Sequence, residues 1–354
     1  VDAMDIEDYI SINKKVLQIV GFYPTNKVRS FFCISCMFPI IIPQIIQIYQ
    51  DWNDLSIVLE VSSVLFMILL GMSKALVCTV NSSNVEILIN FLLTDFWQSA
   101  INNLFYGNLE KYAIQAKNIT KGYLFLIFNV LLVFFTLPLI DVFILEYKGM
   151  LGNDSNHFPF MALYPDSFYK FPLYEIAYIS QIIATSICGL LLLAIDTLIA
   201  TAIIHTCGHF LEKNYKKYKI SINAEYQISS YNSSVINISY KLIHALGIQV
   251  STVNGTKSMK YFSYLIMALS QLLLFCFPGD QLIYQSSMVS KTVYSIEWYQ
   301  TSVPIKSEVC MMILRSQKPS YITAGKFYVM HLENFNAILN TSLSYFMVLK
   351  NFNT

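Results

Sequence analysis

The chain has 354 residues, of which 55% are hydrophobic and only 13% are charged, about half of the roughly 25% that soluble globular proteins carry. The mean hydropathy of +0.51 and the net charge of +1 exclude a soluble two-domain protein and leave no electrostatic footprint for nucleic acid. The composition predicts an all-α membrane protein that crosses the bilayer several times.

Seven stretches of the chain reach or approach the length of about 20 apolar residues that a membrane-spanning helix needs. Six are clear. The stretch Asn232–Val253 is weaker because it contains Lys241 and His244, and the alternative for it is a cytoplasmic amphipathic helix. In chain order the predicted spans are Val28–Tyr49, Leu55–Val80, Gly122–Leu145, Tyr174–Ile204, Asn232–Val253, Tyr261–Pro278 and Phe327–Leu349.

The basic residues predict which end of the chain is inside, because lysine and arginine collect on cytoplasmic loops. With seven spans and an inner N-terminus, 17 of the 23 basic residues fall on the cytoplasmic side and five fall outside. We therefore predict a cytoplasmic N-terminus and an extracellular C-terminus. A G-protein-coupled receptor has the reverse orientation, and neither Arg29 nor Arg315 follows an acidic residue as that class requires. A secondary transporter would show internal repeats, and the sequence contains none that we detect.

Polar groups inside the spans are few, and their contexts differ. Asp196 lies within the fourth span, where a charge is unfavourable, and we expect it to pair with a neighbouring helix rather than with a ligand. His205, Cys207 and His209 lack the further ligands that a metal site needs. The sequence also lacks nucleotide-binding and nucleophile motifs, so we expect no metal, no cofactor and no enzymatic activity.

The last predicted span is amphipathic. At 100° per residue, one face collects Leu332, Phe335, Leu339, Leu343 and Phe346, whereas the opposite face collects Glu333, Asn336, Asn340, Thr341, Ser344 and then Val348. A polar face that ends in an apolar residue suits a pore wall closed by a hydrophobic constriction. The alternative is polar packing between helices, and periodicity alone does not separate the two. A pore would need several copies around an axis.

The C-terminal third contains several specific motifs. They are Gln271 to Asp280 (QLLLFCFPGD), then Ser286, Tyr294 and Trp298, then the stretch from Arg315 through Ala324–Phe327 (AGKF) to Ser344–Lys350 (SYFMVLK), with a weaker Gly21–Pro24 (GFYP) near the N-terminus. In these motifs the chain resembles insect odorant receptors. The resemblance implies an odorant-gated, non-selective cation channel in the plasma membrane of sensory neurons. It further implies a heterotetramer with a shared odorant co-receptor subunit, and small volatile ligands.

The resemblance also implies where the functional residues lie. The last helix would line the pore, with Val348 and Phe352 at the constriction and with Asn340 and Ser344 on the same polar face. The ligand pocket would lie in the outer half, between spans two, three, four and six. No motif marks that pocket, and a Tyr or Phe in so aromatic a chain is usually a packing residue. From the expected geometry, the candidates that face inward are Val64, Phe135, Tyr178, Ile182, Tyr261 and Tyr264.

These expectations divide the chain into four parts. Residues 1–27 form a cytoplasmic segment, and residues 28–206 form spans one to four with the outer pocket region. Residues 207–326 contain the cytoplasmic loop, spans five and six and an anchoring region, and residues 327–354 form the pore-lining helix and an external tail. A gustatory receptor of the same superfamily is the nearest alternative, because Ser344–Tyr345 and Asn351–Phe352 sit at the spacing of that group's terminal pattern.

Overall fold

The computed structural model describes residues 7–92, 106–147, 158–216, 255–295, 298–300, 303–324 and 328–352. This part of the chain is predominantly α-helical. Its helices are α1 Glu7–Val20, α2 Lys27–Ser35, α3 Phe38–Gln50, α4 Leu55–Val80, α5 Ser82–Asn90, α6 Tyr106–Tyr147, α7 Leu173–Lys216, α8 Gly255–Tyr294, α9 Val303–Ser316 and α10 Leu332–Phe352. Short 3₁₀ turns cover Asp166–Tyr169 and Trp298–Gln300, and β1 Thr323–Ala324 pairs antiparallel with β2 Tyr328–Val329.

Five helical stretches in the described ranges are long and apolar enough to cross a membrane, and they confirm predicted spans one to four and six. These stretches are Lys27–Gln50, Glu60–Val80, Leu109–Ile140, Leu173–Phe210 and Leu265–Tyr294. The predicted fifth span, Asn232–Val253, lies outside the described residues. The predicted seventh span corresponds to α10, which is more polar than the other five and begins at Leu332, because β2 precedes it.

The first predicted span is two helices rather than one. Helix α2 ends at Ser35 and α3 begins at Phe38, with Pro39 in its first turn. Proline has no N–H to donate and disfavours helical geometry at the residue before it, so a helix starts readily here but does not run through from α2. The Asn26 side chain caps the start of α2 by accepting a hydrogen bond from the Arg29 amide at 3.2 Å.

Three helices are much longer than a bilayer requires. The 42 residues of α6 extend about 63 Å, roughly twice the apolar thickness of a membrane. The extra turns of α6, α7 and α8 meet at one end of the bundle, which is the end predicted to be cytoplasmic. There Gln285 donates a hydrogen bond to the Tyr112 hydroxyl at 2.9 Å. A separate apolar cluster joins the three extensions through Tyr112, Ala116, Ile203, Ile204, Cys207 and Leu282.

Helix α1 packs across the bundle near that same end. Its apolar face buries Ile10 and Leu17 in the main core, and Asn13 donates to the hydroxyls of Thr197 and Thr201 on α7 at 3.3 Å each. The helix ends where Gly21 adopts a φ of +90°, a conformation that glycine accepts without steric cost. The GFYP sequence that begins at Gly21 therefore forms the turn into α2.

Helix α8 and the start of α10 approach each other very closely. A Cβ added at Gly279 would lie 2.2 Å from the carbonyl oxygen of Met330, so only glycine fits at this crossing. Next to it, the Leu332 amide donates to the Asp280 carboxylate at 3.5 Å. A small apolar cluster of Cys276, Leu332 and Phe335 completes the contact. The base of α10 is therefore fixed to α8.

Candidate functional site

An apolar cavity lies between α4, α6, α7 and α8. The space in it open to a water-sized sphere is about 80 Å³. Its wall is almost wholly hydrocarbon and sulfur, and Thr185 is the hydroxyl-bearing residue among the described residues that line it. The lining consists of Val64, Met67, Ile68, Ile127, Val130, Leu131, Phe134, Phe160, Thr185, Cys188, Gly189, Leu192 and Met267. Such a surface suits a small, uncharged, mainly apolar molecule.

The segment between α6 and α7 covers one side of this cavity through Phe160. The Phe160 ring is buried and stacks on Phe134 of α6, with 5.2 Å between the ring centroids. Gln181 of α7 holds the segment in place: its amide oxygen accepts from the Phe160 backbone N–H at 3.1 Å, and its amide nitrogen donates to the Phe160 carbonyl at 3.2 Å. The segment between α6 and α7 is therefore held in place by hydrogen bonds to its backbone.

A cluster of aromatic rings surrounds this anchor. Gln181 also donates to the Tyr164 hydroxyl at 3.2 Å, and the Leu163 amide donates to the Pro43 carbonyl of α3 at 3.3 Å. Burial raises the pKa of the Tyr164 phenol, although the Gln181 hydrogen bond opposes that shift, so Tyr164 stays neutral at physiological pH. Phe158 packs against Tyr164, Tyr169 and Tyr174 with centroid distances of 4.9, 5.6 and 5.1 Å.

Three polar side chains meet directly beneath the cavity. The fully buried Asp196 carboxylate lies 2.7 Å from the Lys74 ammonium of α4, and it accepts a hydrogen bond from the Gln271 amide of α8 at 2.8 Å. The Lys74 nitrogen also lies 5.7 Å from the centroid of the Phe275 ring. The expectation that Asp196 pairs with a neighbouring helix is confirmed, and the partners are two helices.

The predicted pocket residues fall in three groups. Val64 lines the cavity. Phe135, Tyr178 and Ile182 are half-buried beside it and are not among its lining residues; the Tyr178 hydroxyl donates to the Phe135 carbonyl at 2.9 Å, which joins α7 to α6. Tyr261 and Tyr264 belong to α8, but their side chains lie outside the described part of the chain.

Sequence reasoning missed several residues that line the cavity. Phe160 lies in a segment with no helical pattern, so no periodicity in the sequence predicts that its ring packs on α6. Thr185 and Gly189 are one helical turn apart on α7, and a small-residue face is the signal that could have placed them against α6. A Cβ on Gly189 would lie 3.2 Å from Ile127, which shows how closely the two helices approach.

The pore residues proposed from the sequence all lie on α10. The predicted apolar face is buried against α8 at Leu332 and Phe335, whereas Asn340 and Ser344 are exposed in the single chain. Val348 and Phe352 follow Ser344 at intervals of four residues along the helix; their side chains lie outside the described part. The polar face of α10 is therefore open to water or to another subunit.

The His205–His209 region packs within the helices. His205 is buried, with its Nδ1 2.8 Å from the Thr201 carbonyl on the preceding turn. Across the described residues, no three His, Cys, Asp or Glu side chains are grouped so that they could hold a metal ion.

Comparison with known proteins agrees with this architecture. Residues 221–343 match the 7tm Odorant receptor family. The chain is 28% identical to Odorant receptor 13a of Drosophila melanogaster over 268 residues, which are 62% of this chain and 63% of that protein. It is 34% identical to the Odorant receptor coreceptor of Aedes aegypti over 117 residues, which are 33% of this chain and 24% of that protein. The matches thus span less than two thirds of the length of these curated relatives.

The fold is that of a solved insect receptor. The olfactory receptor OR5 from Machilis hrabei, solved in complex with eugenol, superimposes with a TM-score of 0.75 at 16% sequence identity, over 98% of both chains. A second structure of the same receptor gives a TM-score of 0.72 at 18% identity. The relatives named here are odorant receptors or odorant co-receptors, which favours that family over the gustatory and G-protein-coupled alternatives. The match over residues 221–343, the related odorant receptor 13a and the shared fold together support an insect odorant receptor family member.

Proposed function

We propose that this chain is the odorant-binding subunit of a ligand-gated, non-selective cation channel that detects small volatile molecules. The observation that carries the proposal is the apolar cavity between α4, α6, α7 and α8. An uncharged volatile molecule matches a wall that offers dispersion contacts and one hydroxyl group. The apolar lining described here supports a site that binds such a molecule through dispersion contacts.

The channel would form with a shared odorant co-receptor subunit, as a heterotetramer in the plasma membrane of sensory neurons. Two observations support an assembly of several chains. The polar face of α10, with Asn340 and Ser344, is exposed in the single chain, and one helix cannot enclose a pore. The chain also shares a 117-residue region with a protein named as an odorant co-receptor.

Filling the cavity tests the ligand site. We expect Val64→Phe to weaken responses to small volatile alcohols, esters and phenols roughly tenfold or more, because overfilling a packed site costs about 1–3 kcal/mol. The measurement is the concentration dependence of cation current in cells that co-express the co-receptor subunit, together with receptor abundance at the surface.

The matched control is Val77→Phe, the same change on an exposed position of the same helix. Responses of Val64→Phe that equal those of Val77→Phe and of the unmodified receptor would contradict the assignment of the cavity as the ligand site.

A charged residue at the proposed constriction tests the pore. We expect Val348→Lys to reduce inward cation current several-fold and to change its rectification, because a fixed positive charge in a narrow conduit repels cations. Single-channel or whole-cell recordings with the co-receptor subunit measure the effect. Val80→Lys makes the same substitution at an exposed position of α4 and serves as the control. Unaltered conductance and rectification in Val348→Lys would remove Val348 from the pore wall.

A further inference from the structure

We propose that Lys74, Asp196 and Gln271 are positioning residues that set how readily a ligand opens the channel. Their contacts, the Lys74–Asp196 ion pair and the Gln271–Asp196 hydrogen bond, link α8 to α4 and α7 immediately beneath the ligand cavity, and we call them the tie. The tie must break for the cavity to widen. The inference rests on the proposed function, and it adds a role for three side chains that do not line the cavity.

The geometry of the tie is specific. One carboxylate serves both partners: Oδ1 of Asp196 lies 2.7 Å from Lys74 Nζ, and Oδ2 accepts from Gln271 Nε2 at 2.8 Å. Hydrogen bonds to an ionised, buried group are stronger than neutral ones, and each has a short range. Three helices are therefore held in one register by a contact that is either made or broken.

The tie lies one helical turn below the cavity wall. On α7, Leu192 lines the cavity and Asp196 follows four residues later; on α8, Met267 lines the cavity and Gln271 follows four residues later. One turn of helix rises about 5.4 Å. Any movement of the wall at Leu192 or Met267 therefore acts directly on the tie.

The cavity has to widen to accept a ligand. Its volume of about 80 Å³ is well below the roughly 300–1,000 Å³ of typical small-molecule sites. Among the described lining residues, helix α8 contributes Met267 to the wall. An outward displacement of α8 would enlarge the site, and the Gln271–Asp196 hydrogen bond opposes that displacement.

Movement of α8 would reach the proposed pore helix. Beyond Gln271, Cys276 contacts the Met330 sulfur at 3.9 Å, and Asp280 accepts from the Leu332 amide at the start of α10. Gly279 lies against the backbone of Met330, so the two elements cannot slide independently. Helix α8 thus joins the ligand wall, the tie and the base of α10 in one continuous element.

The decisive variant is Gln271→Met, which removes the bond from α8 but keeps the side-chain volume and the Lys74–Asp196 pair. The matched control is Gln285→Met, a buried residue of the same helix, which loses a hydrogen bond to Tyr112 far from the cavity. Both are expressed with the co-receptor subunit, and current is recorded without ligand and across concentrations of 1-octanol, hexyl acetate and eugenol.

We expect Gln271→Met to raise the ligand-free current and to lower the half-maximal concentration of every active ligand by roughly fivefold or more, with their rank order unchanged. A merely structural role would lower surface abundance and maximal current without moving the half-maximal concentrations. If Gln271→Met and Gln285→Met have the same half-maximal concentrations and the same ligand-free current, the further inference is wrong and the proposed function is unaffected. An unmodified receptor with neither ligand-free nor ligand-evoked current contradicts the proposed function, and the inference falls with it.

Discussion

Replacing Gly279 with alanine is expected to prevent the receptor from reaching the cell surface in normal amounts. The added methyl group would lie 2.2 Å from the Met330 carbonyl oxygen and 3.1 Å from the carbonyl carbon. Both are backbone atoms, so no side-chain rotation relieves the overlap, and α10 must shift away from α8. We expect a loss of about 3 kcal/mol, at the upper end of what overpacking costs.

The effect is measured by surface labelling and by thermal unfolding of the purified receptor in detergent. Gly122→Ala is the matched control, since Gly122 also lies within a long helix and a Cβ there meets nothing within 4 Å. Alanine at such an exposed helical position should stabilise slightly, by about 0.5–1 kcal/mol. Equal surface abundance and equal melting of the two variants would show that α8 and α10 are not in close contact.

Removing Lys74 is the second change for which we expect a large loss of stability. In Lys74→Met the Asp196 side chain stays fully buried but loses its cation. Breaking a buried ion pair by removal of one partner typically costs about 3–5 kcal/mol, because the remaining charge is left uncompensated. Removing both charges avoids this, so Lys74→Met/Asp196→Leu should recover most of the lost stability.

Thermal unfolding and surface abundance of the single and double variants measure this difference. Lys291→Met, at an exposed lysine of α8, provides the control and should change stability by no more than about 0.5 kcal/mol. The double variant also lacks the tie to α8, so it should respond to ligand at lower concentrations, as Gln271→Met does. A single variant as stable as the double would show that Asp196 does not depend on Lys74.

Hydropathy predicted spans one to four and six, because a long apolar run can be read directly from the order of the residues. It predicted neither the break at Cys36–Met37 nor the length of α6, α7 and α8. The extensions near Tyr112 and Leu282 are ordinary amphipathic helices, and their buried faces exist only because three helices meet there. Pro39 was the sequence signal for the break, since proline favours the first turn of a helix.

The family resemblance implied a ligand pocket between spans two, three, four and six. The structure has a cavity between these helices, and Val64 lines it; that this cavity binds the ligand stays a prediction. Tyr178 points its hydroxyl at a backbone carbonyl instead, because a polar group in an apolar bundle takes the nearest acceptor. A charged residue within a span was expected to have a partner, but no sequence pattern near Asp196 identifies Lys74, which is 122 residues away in the chain.

Gln181 holds the segment between α6 and α7 through the backbone of residue 160, and this affects how the ligand selectivity of such receptors could diverge. The oxygen and the nitrogen of its one side-chain amide bond the main-chain N–H and C=O of position 160, and neither hydrogen bond depends on which side chain that position carries. The Phe160 ring, in turn, forms part of the wall that a ligand would meet. A substitution of this one side chain could therefore change which ligands the receptor binds, while both hydrogen bonds from Gln181 to the backbone are kept.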